Sequence, residues 1–261
     1  MDRRVRRAIE RVFADRISVG KATKPEAIQA LLERLKPVPM RVELKRFGAA
    51  GDGGYLMPDD LQGVSACISP GVASECGFDL EVASRGIDVL MADASVSGAP
   101  VHHPRFHFTP KFLDIWSSDK TMTIEEMCAP AGQGDLLLQM DIEGAEYRVL
   151  AAMPEQLLRR FRIIVIEFHE LDAIFSQFAF RLLQPVFEKL TKFHSVVHIH
   201  PNNSIEPTRR YSLTIPPVME FTFYRNDRFQ VDPDRVLHFP HVLDVACVPA
   251  KPPVELPQCW R

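Results

Sequence analysis

Residues 64–93, VSACISPGVASECGFDLEVASRGIDVLMAD, decide the fold of this chain. The run SACISPGV is apolar up to Pro70-Gly71, where a strand must stop. The segment SECGFDLEVASRG then sets Phe78, Leu80, Val82 and Ala83 at helical spacing and closes on Gly86. A second apolar run, DVLMADAS, follows at once. Strand, glycine turn, helix and strand make a βαβ unit, and strands without polar alternation are buried on both faces of a parallel sheet.

The same rhythm continues toward the C-terminus. RFHFTPKFL is extended and TIEEMCAP helical, DLLLQMDIEG is a buried strand, and AEYRVLAAM with PEQLLRRF is helical. RIIVIEFHE is a further buried strand, Asp172–Phe193 an amphipathic helix, and SVVHIHPNN and MEFTFYRND are the last strands. Toward the N-terminus, residues 2–36 read as helix in two pieces broken between Gly20 and Pro25, with Ala27, Ile28, Leu31, Leu32 and Leu35 on one face of the second piece and Pro37 ending it. Arg41–Phe47 is a short strand, and GAAGDGGYLMP after it reads as a loop throughout. The expected organisation is an α/β domain over residues 41–230, preceded by a helical extension over 1–40 and followed by a proline-rich tail over 231–261. The tail carries Pro233, Pro240, Pro249, Pro252, Pro253 and Pro257, and reads as extended chain packed on the domain or on a second subunit, which leaves a homo-oligomer open.

Bulk composition narrows the function. The 261 residues carry a net charge of -3, which argues against a nucleic-acid partner, and no apolar run reaches the length of a membrane span. The basic start MDRRVRRAIERVF has no apolar core behind it, as a secretory signal would, and reads as a solvated helix face. Five scattered cysteines (Cys67, Cys76, Cys128, Cys247 and Cys259) without CxxC spacing argue for a reducing, cytoplasmic setting and against structural zinc.

Parallel sheets place ligands beyond the carboxyl ends of their strands, so the polar residues there are the candidates for chemistry. The first strand runs into Gly71, Val72, Ala73, Ser74 and Glu75, a small-residue turn that lets backbone approach a ligand. The second ends in Asp93-Ala94, an acid about 20 residues after the glycine turn, where a ribose diol is bound. The fourth ends in QMDIEGAE, and strand alternation puts Gln139, Asp141 and Glu143 on one side. IEFHE sets Glu167 and His169 together, and VVHIHPNN does the same for His198 and His200, ahead of Asn202 and Asn203. These acids and histidines suit a general base or an oxygen- and nitrogen-lined site for Mg²⁺ or Mn²⁺. His107 and His194 read as bystanders.

At these residues the chain resembles the FkbM-like branch of the class I S-adenosylmethionine-dependent methyltransferases. The resemblance is carried, in order, by RFGAAGDGGYLMPDD, ISPGVASECGFDLEVASRG, VLMADAS, DLLLQMDIEGAEYRVL, IVIEFHEL and VVHIHPNN, over roughly residues 41–225. It implies a mostly parallel, seven-stranded Rossmann-like sheet, S-adenosylmethionine over the first two strand ends, and O-methylation of a sugar or glycosylated small molecule. Gly71 to Glu75 would face the methionine part, Asp93 with Ala94 the ribose, and Asp141 the methyl group or a metal. Ala73 stands where a second glycine is common, and is expected to fit if its φ is negative. Asp52 and Tyr55 of DGGY are expected to fold back as a lid, with Glu143 and Asn202 near the acceptor.

A sugar hydroxyl is a poor acid, so its proton needs a close base or a metal. The expected roles are His169 or His200 as base, beside Asp141 at the reacting group, with a metal, where one takes part, held by Asp141, Glu167, His169 and His198. His169 and His200 are expected to face the transfer site from adjacent strand ends. Two other readings remain: a nicotinamide-dependent oxidoreductase, disfavoured by the incomplete glycine motif, and a silent binding protein on the same fold, disfavoured by the crowded strand ends.

Overall fold

A computed structural model describes residues 20–261. The basic start and the first of the two expected N-terminal helical pieces lie outside the described residues. The second piece is helix α1 (Pro25–Leu35), opened by proline in its first turn, with Ile28, Leu31, Leu32 and Leu35 buried.

Strands β1 (Leu44–Phe47) and β2 (Tyr55–Pro58) form an antiparallel hairpin. Here the sequence reading is corrected: the glycine-rich stretch is a loop only to Gly54, and YLMP pairs back onto LKRF because all four of its residues are buried. The alternation of strand and helix then runs β3 (Val64–Pro70), α2 (Gly77–Ser84), β4 (Asp88–Ala92) and β5 (Phe106–Thr109). A small parallel pair, β6 (Phe112–Leu113) and β7 (Thr121–Met122), leads into α3 (Ile124–Cys128), which opens on a capping box between Thr123 and Glu126. After β8 (Asp135–Met140) come α4 (Glu146–Ala152) and α5 (Glu155–Leu158), then β9 (Phe161–Phe168), α6 (Gln177–Thr191) and β10 (His194–Pro201). The last strands are β11 (Thr208–Arg210) and β12 (Leu213–Ile215), a hairpin too short to read from sequence, and β13 (Met219–Arg225). Helix α6 begins five residues later than periodicity suggests. Glu170 adopts a left-handed φ of 52° and Leu171 donates to the Pro217 carbonyl, which turns Leu171–Phe175 into a 3-10 segment.

Seven strands form one sheet in the order β10-β13-β9-β8-β3-β4-β5. Pairings from β9 through β5 are parallel, whereas β13 lies antiparallel between β9 and β10. This mostly parallel sheet with its helices is compatible with a Rossmann-like methyltransferase fold. The antiparallel insertion corrects the expectation that β9 and β10 are neighbours.

The two faces of the sheet differ. On one, Ile68, Leu138, Ile164, Ile166, Phe168 and Phe221 belong to a continuous apolar core shared with α1, α4 and α6. On the other, Cys67, Leu137, Ile163 and Val165 pack with Phe47, Tyr55, Met57 and Phe78 from the hairpin and α2. Strand alternation puts Glu167, Glu220, Thr222, His198 and His200 on this second face, beneath the hairpin. Thr222 Oγ1 donates to the Leu56 carbonyl at 2.6 Å and ties the two layers together.

The tail packs on the described domain. Asn203 Nδ2 donates to the carbonyls of Val248, Lys251 and Pro252, while its Oδ1 accepts from Val248 N. Trp260 is fully buried, donates from Nε1 to the Thr214 carbonyl at 3.3 Å and meets Phe221 edge-on at 5.9 Å. Trp260→Ala is therefore expected to cost about 3–5 kcal/mol of unfolding free energy, read as a lower urea midpoint. An unchanged midpoint would mean that the tail contributes nothing to the core.

Candidate active site

Pro70 and Gly71 carry the carboxyl end of β3 across the end of β8. Gly71 has φ +85°, and a Cβ there would collide with the Asp141 carbonyl, so only glycine allows this crossing. Gly71 N donates to the Ala92 carbonyl at 3.0 Å, and Asp141 N to the Pro70 carbonyl at 3.3 Å. Two residues on, Ala73 has φ +44°, not the negative value expected of an alanine in this loop. The loop holds it in this disfavoured conformation through Asp93, whose Oδ2 accepts from Val72 N at 3.1 Å and Ala73 N at 2.8 Å. Asp93 Oδ1 accepts from Ser95 N and Ser95 Oγ at 2.7 and 2.6 Å. Burial opposes its charge, but these four donors hold its carboxyl below the ordinary range. Ser74 and Glu75 of the loop are exposed, and Ala94 is half-buried.

These ends bound a cleft of about 480 Å³, within the size range of small-ligand sites. Gly71, Ala73, Asp93 and Ser95 line one wall, Asp141, Ile142 and Glu143 the other, and Phe112 and Leu113 close the end. Arg148 also reaches it, paired through Nε and Nη2 with Asp114 at 2.9 and 3.0 Å. A larger surface hollow, about 610 Å³, lies against residues 252–258 of the tail, away from these strand ends.

Beyond the cleft wall lies a cluster on β8 and β9. His169 Nε2 stands 3.9 Å from Asp141 Oδ1, 3.8 Å from Glu167 Oε1 and 3.6 Å from Glu143 Oε2, while its Nδ1 is 3.3 Å from Glu146 Oε1. Glu146 is fully buried and also accepts from Ile142 N and Gly144 N at 3.0 and 3.1 Å, so it shapes the DIEG turn and orients the imidazole at once. That turn corrects the expected alternation. The strand ends at Met140, and Glu143 adopts φ 55° with its side chain exposed, rather than continuing the row of Gln139 and Asp141.

The electrostatics follow from crowding. Burial raises the Asp141 carboxyl, opposed by His169 and reinforced by Glu143, Glu146 and Asp52. Burial raises Glu167 too, with Asp141 and Glu220 adding to it. Burial works against the His169 imidazolium, yet its hydrogen bond to Glu146 and the charges of Glu146, Asp141 and Glu167 raise it above the ordinary histidine value. Asp141 Oδ1 and Glu167 Oε2 are buried without a hydrogen-bond partner among the described residues.

His198 and His200 are elsewhere. With β13 inserted, they lie two strands from His169 and pair with Asp244 of the tail, His198 Nε2 at 2.9 Å and His200 Nδ1 at 3.5 Å. Burial opposes the Asp244 charge, but the two histidines hold its carboxyl well below the usual carboxylate range. The expected metal role of His198 is thereby corrected: among the described residues, the three groups close enough to share an ion are Asp141, Glu167 and His169, with ligand atoms within 4.8 Å of one another. His194 Nε2 donates to the Phe161 carbonyl at 2.7 Å inside the core, and His107 is exposed on the edge strand, so both stand apart from the site.

Glu220, not singled out from the sequence, fills the gap on β13. It is buried, in register with Glu167 on one side and His200 on the other. Burial raises its carboxyl to about 7, against the opposing charge of His200. Its Oε1 accepts from the Cys247 thiol at 3.2 Å. Asn202 Nδ2 donates to Glu167 Oε1 at 3.0 Å. Tyr55 is buried with its hydroxyl 3.5 Å from Gln139 Nε2, and Gln139 Oε1 accepts from Ser69 Oγ at 2.9 Å. Asp52 is exposed at the tip of the hairpin loop. Arg46, also missed, closes that loop by donating to the carbonyls of Ala49 and Gly51 at 2.7 Å, and to Leu243 of the tail at 3.4 Å.

Among known proteins, no curated sequence and no solved structure matches the chain. Residues 106–194 match the family model described as the Methyltransferase FkbM domain. The matched stretch runs from β5 to the first residue of β10, and so contains the Asp141–Glu167–His169 cluster, whereas Gly71, Asp93, His200 and Glu220 lie outside it. That stretch, about a third of the chain, is similar to the FkbM methyltransferase domain, in keeping with the resemblance read from the motifs.

Proposed function

We propose that the protein is an S-adenosylmethionine-dependent O-methyltransferase acting on a hydroxyl group of a sugar or glycosylated small molecule. The observation that carries this reading is the junction of the cleft over β3 and β4 with a buried acid–histidine cluster, Asp141 belonging to both. The cleft suits a nucleoside with a small polar extension. Its glycine crossing draws the ends of β3 and β8 together as two walls of the cleft, and its acid at the end of β4 lies beside the loop that would cradle the ligand.

Bound there, S-adenosylmethionine would supply an electrophilic methyl group on a sulfonium. The chain's own part is to align a hydroxyl with that methyl and to take its proton. Asp141 is the residue we assign to the proton, because it lines the cleft and its Oδ1 has no partner among the described residues. A carboxylate raised by burial is a stronger base than one in water. His169, oriented by Glu146 and favoured as imidazolium, steadies the charge of Asp141 and Glu167. His200 is not assigned as base, since its Nδ1 faces Asp244 and it lies two strands away.

The partnerless oxygens of Asp141 and Glu167 also favour a metal-assisted variant. Asp141, Glu167 and His169 would hold Mg²⁺ or Mn²⁺, which would lower the pKa of the acceptor hydroxyl. The N-terminal helical extension, the methyltransferase domain over residues 41–230 and the tail remain the organisation we propose.

Calorimetry should detect S-adenosylhomocysteine binding and no NAD binding. Gly71→Ala, which forces the Pro70–Gly71 crossing off the Asp141 carbonyl, should weaken S-adenosylhomocysteine at least about tenfold in protein that is still folded by circular dichroism. NAD binding in its place would sink the proposal. Asp141→Asn and His169→Gln should each lower kcat by ~10²–10⁴-fold, whereas His198→Gln and His200→Gln should lower Tm and spare kcat. The reverse pattern would move the chemistry to β10. Treatment with EDTA, followed by Mg²⁺ or Mn²⁺, should abolish and restore turnover if the metal takes part; full activity after chelation removes it.

A further inference from the structure

A chain of buried polar side chains runs from helix α2 to the acid cluster. Asp79 in the first turn of α2, Ser69 on β3, Gln139 on β8 and Tyr55 on β2 are each more than nine-tenths buried. The Asp79 carboxyl meets the Ser69 hydroxyl. Ser69 Oγ donates to Gln139 Oε1 at 2.9 Å, and Gln139 Nε2 to the Tyr55 hydroxyl at 3.5 Å. The charges that bear on that hydroxyl are those of Asp141, Glu167 and Glu220, so this end of the chain faces the cluster.

The protons give the chain a direction. Ser69 has one to give, and here it goes to Gln139. The Asp79 oxygen facing Ser69 then meets lone pairs unless Asp79 brings a proton of its own. Its other oxygen, Oδ1, is buried without a hydrogen-bond partner among the described residues. The titratable groups around it are the thiols of Cys67 on β3 and Cys76 before α2, both raised by burial and then by the Asp79 charge. The cations of the neighbouring elements are engaged elsewhere. Lys45 of β1 and Arg85 of α2 pair with Asp59, Arg46 of β1 donates to the Ala49 and Gly51 carbonyls, and Arg105 pairs with Asp88 of β4. Burial accordingly raises the Asp79 carboxyl to about 7, with the Ser69 hydroxyl opposing.

Two complete hydrogen-bond patterns fit these positions. With Asp79 protonated, it donates to Ser69, Ser69 to Gln139 Oε1 and Gln139 Nε2 to Tyr55, which leaves the Tyr55 proton for the cluster. With Asp79 ionised, Ser69 donates to Asp79 instead. Turning the Gln139 amide over in place then lets Nε2 donate to Ser69 and Oε1 accept from Tyr55, so the Tyr55 proton points away from the cluster. Mixed patterns leave a buried donor or acceptor unpaired, which is costly.

We propose that Asp79 is a positioning residue for the acid cluster, whose protonation sets the direction of this chain and so whether the Tyr55 hydroxyl donates toward Asp141 and Glu167. The consequence for catalysis rests on the reading of that cluster as the methyl-transfer site. A hydrogen bond from Tyr55 favours the charged form of a carboxylate, so its withdrawal as pH rises makes Asp141 the stronger base.

The test is carbon-13 NMR on the full chain labelled at the aspartate carboxyls, with the Asp79 signal identified by its loss in Asp79→Asn. Asp79 should titrate near pH 7, far above the free-aspartate value of about 3.9. Tyr55→Phe lies two links away from Asp79, yet should move that midpoint by about half a unit or more, the equivalent of one ordinary hydrogen bond. A midpoint in the ordinary aspartate range, or one that Tyr55→Phe leaves in place, overturns the proposal. Should Tyr55→Phe not fold, wild-type protein labelled at the tyrosine Cζ decides. One tyrosine signal must then step at the Asp79 midpoint and lose that step in Asp79→Asn, whose amide donates to Ser69 at every pH. The absence of such a step overturns the proposal equally. No cofactor enters this titration, so its failure is distinct from a failure to bind S-adenosylhomocysteine, which would strike the methyltransferase reading.

Discussion

The crossing of the β3 end over the β8 end is the constraint on which the rest of the site depends. Backbone can approach backbone this closely only where no side chain intervenes, and Gly71 against the Asp141 carbonyl is that place. The crossing fixes the cleft and the acid cluster relative to each other, because one wall of the cleft is the strand end that carries Asp141. Asp93 secures the other side by accepting from the loop amides, at the cost of a left-handed Ala73. A non-glycine residue in that region is disfavoured by about 1–2 kcal/mol, which the two loop hydrogen bonds to an ionised carboxylate can offset. The loop is thus shaped by the protein itself before any ligand arrives.

The second organising feature is the antiparallel β13. Inserted between β9 and β10, it sets Glu220 between Glu167 and His200 and divides the polar residues into two groups. The group on β8 and β9 meets the cleft. The group on β10 is taken up by Asp244 and serves to hold the tail, along with Asn203. Both histidines of the HxH motif therefore face Asp244 of the C-terminal segment.

The asymmetry of the sheet's faces explains why the polar row is tolerated. The face toward α1, α4 and α6 is apolar along its length and supplies hydrophobic stabilisation in proportion to the area it buries. The face under the hairpin is apolar in the middle of the strands and polar at their carboxyl ends. At the opposite ends, Arg162 joins Asp135 to the Asp60 and Gln62 carbonyls, and so pins the chain following the hairpin to the sheet. The hairpin is held by apolar packing, by this network and by the Thr222 hydrogen bond to Leu56.

How much of this was legible from sequence depends on whether the signal was local. Continuous apolar runs identify β3, β4, β8, β9, β10 and β13, because burial on both faces removes polar residues wherever the strand lies in the sheet. The spacing of Gly71 and Asp93, and the set Asp141, Glu167 and His169, could be read because each sits at the end of such a run. The hairpin strand YLMP was hidden by its glycine-rich neighbour, and its pairing is decided by burial against α2 and the sheet. Strand order was not legible: nothing local tells β13 to enter between β9 and β10, so the separation of His200 from His169 and the position of Glu220 were fixed only in three dimensions. The same holds for Asp244 and Cys247, whose side-chain partners His198, His200 and Glu220 lie more than 25 residues away along the chain. Sequence determines which residues must end a buried strand, since that follows from hydrophobic burial one element at a time. Tertiary structure alone decides which of those ends are neighbours, because charge and hydrogen bonding act across distances that strand order, not sequence separation, sets.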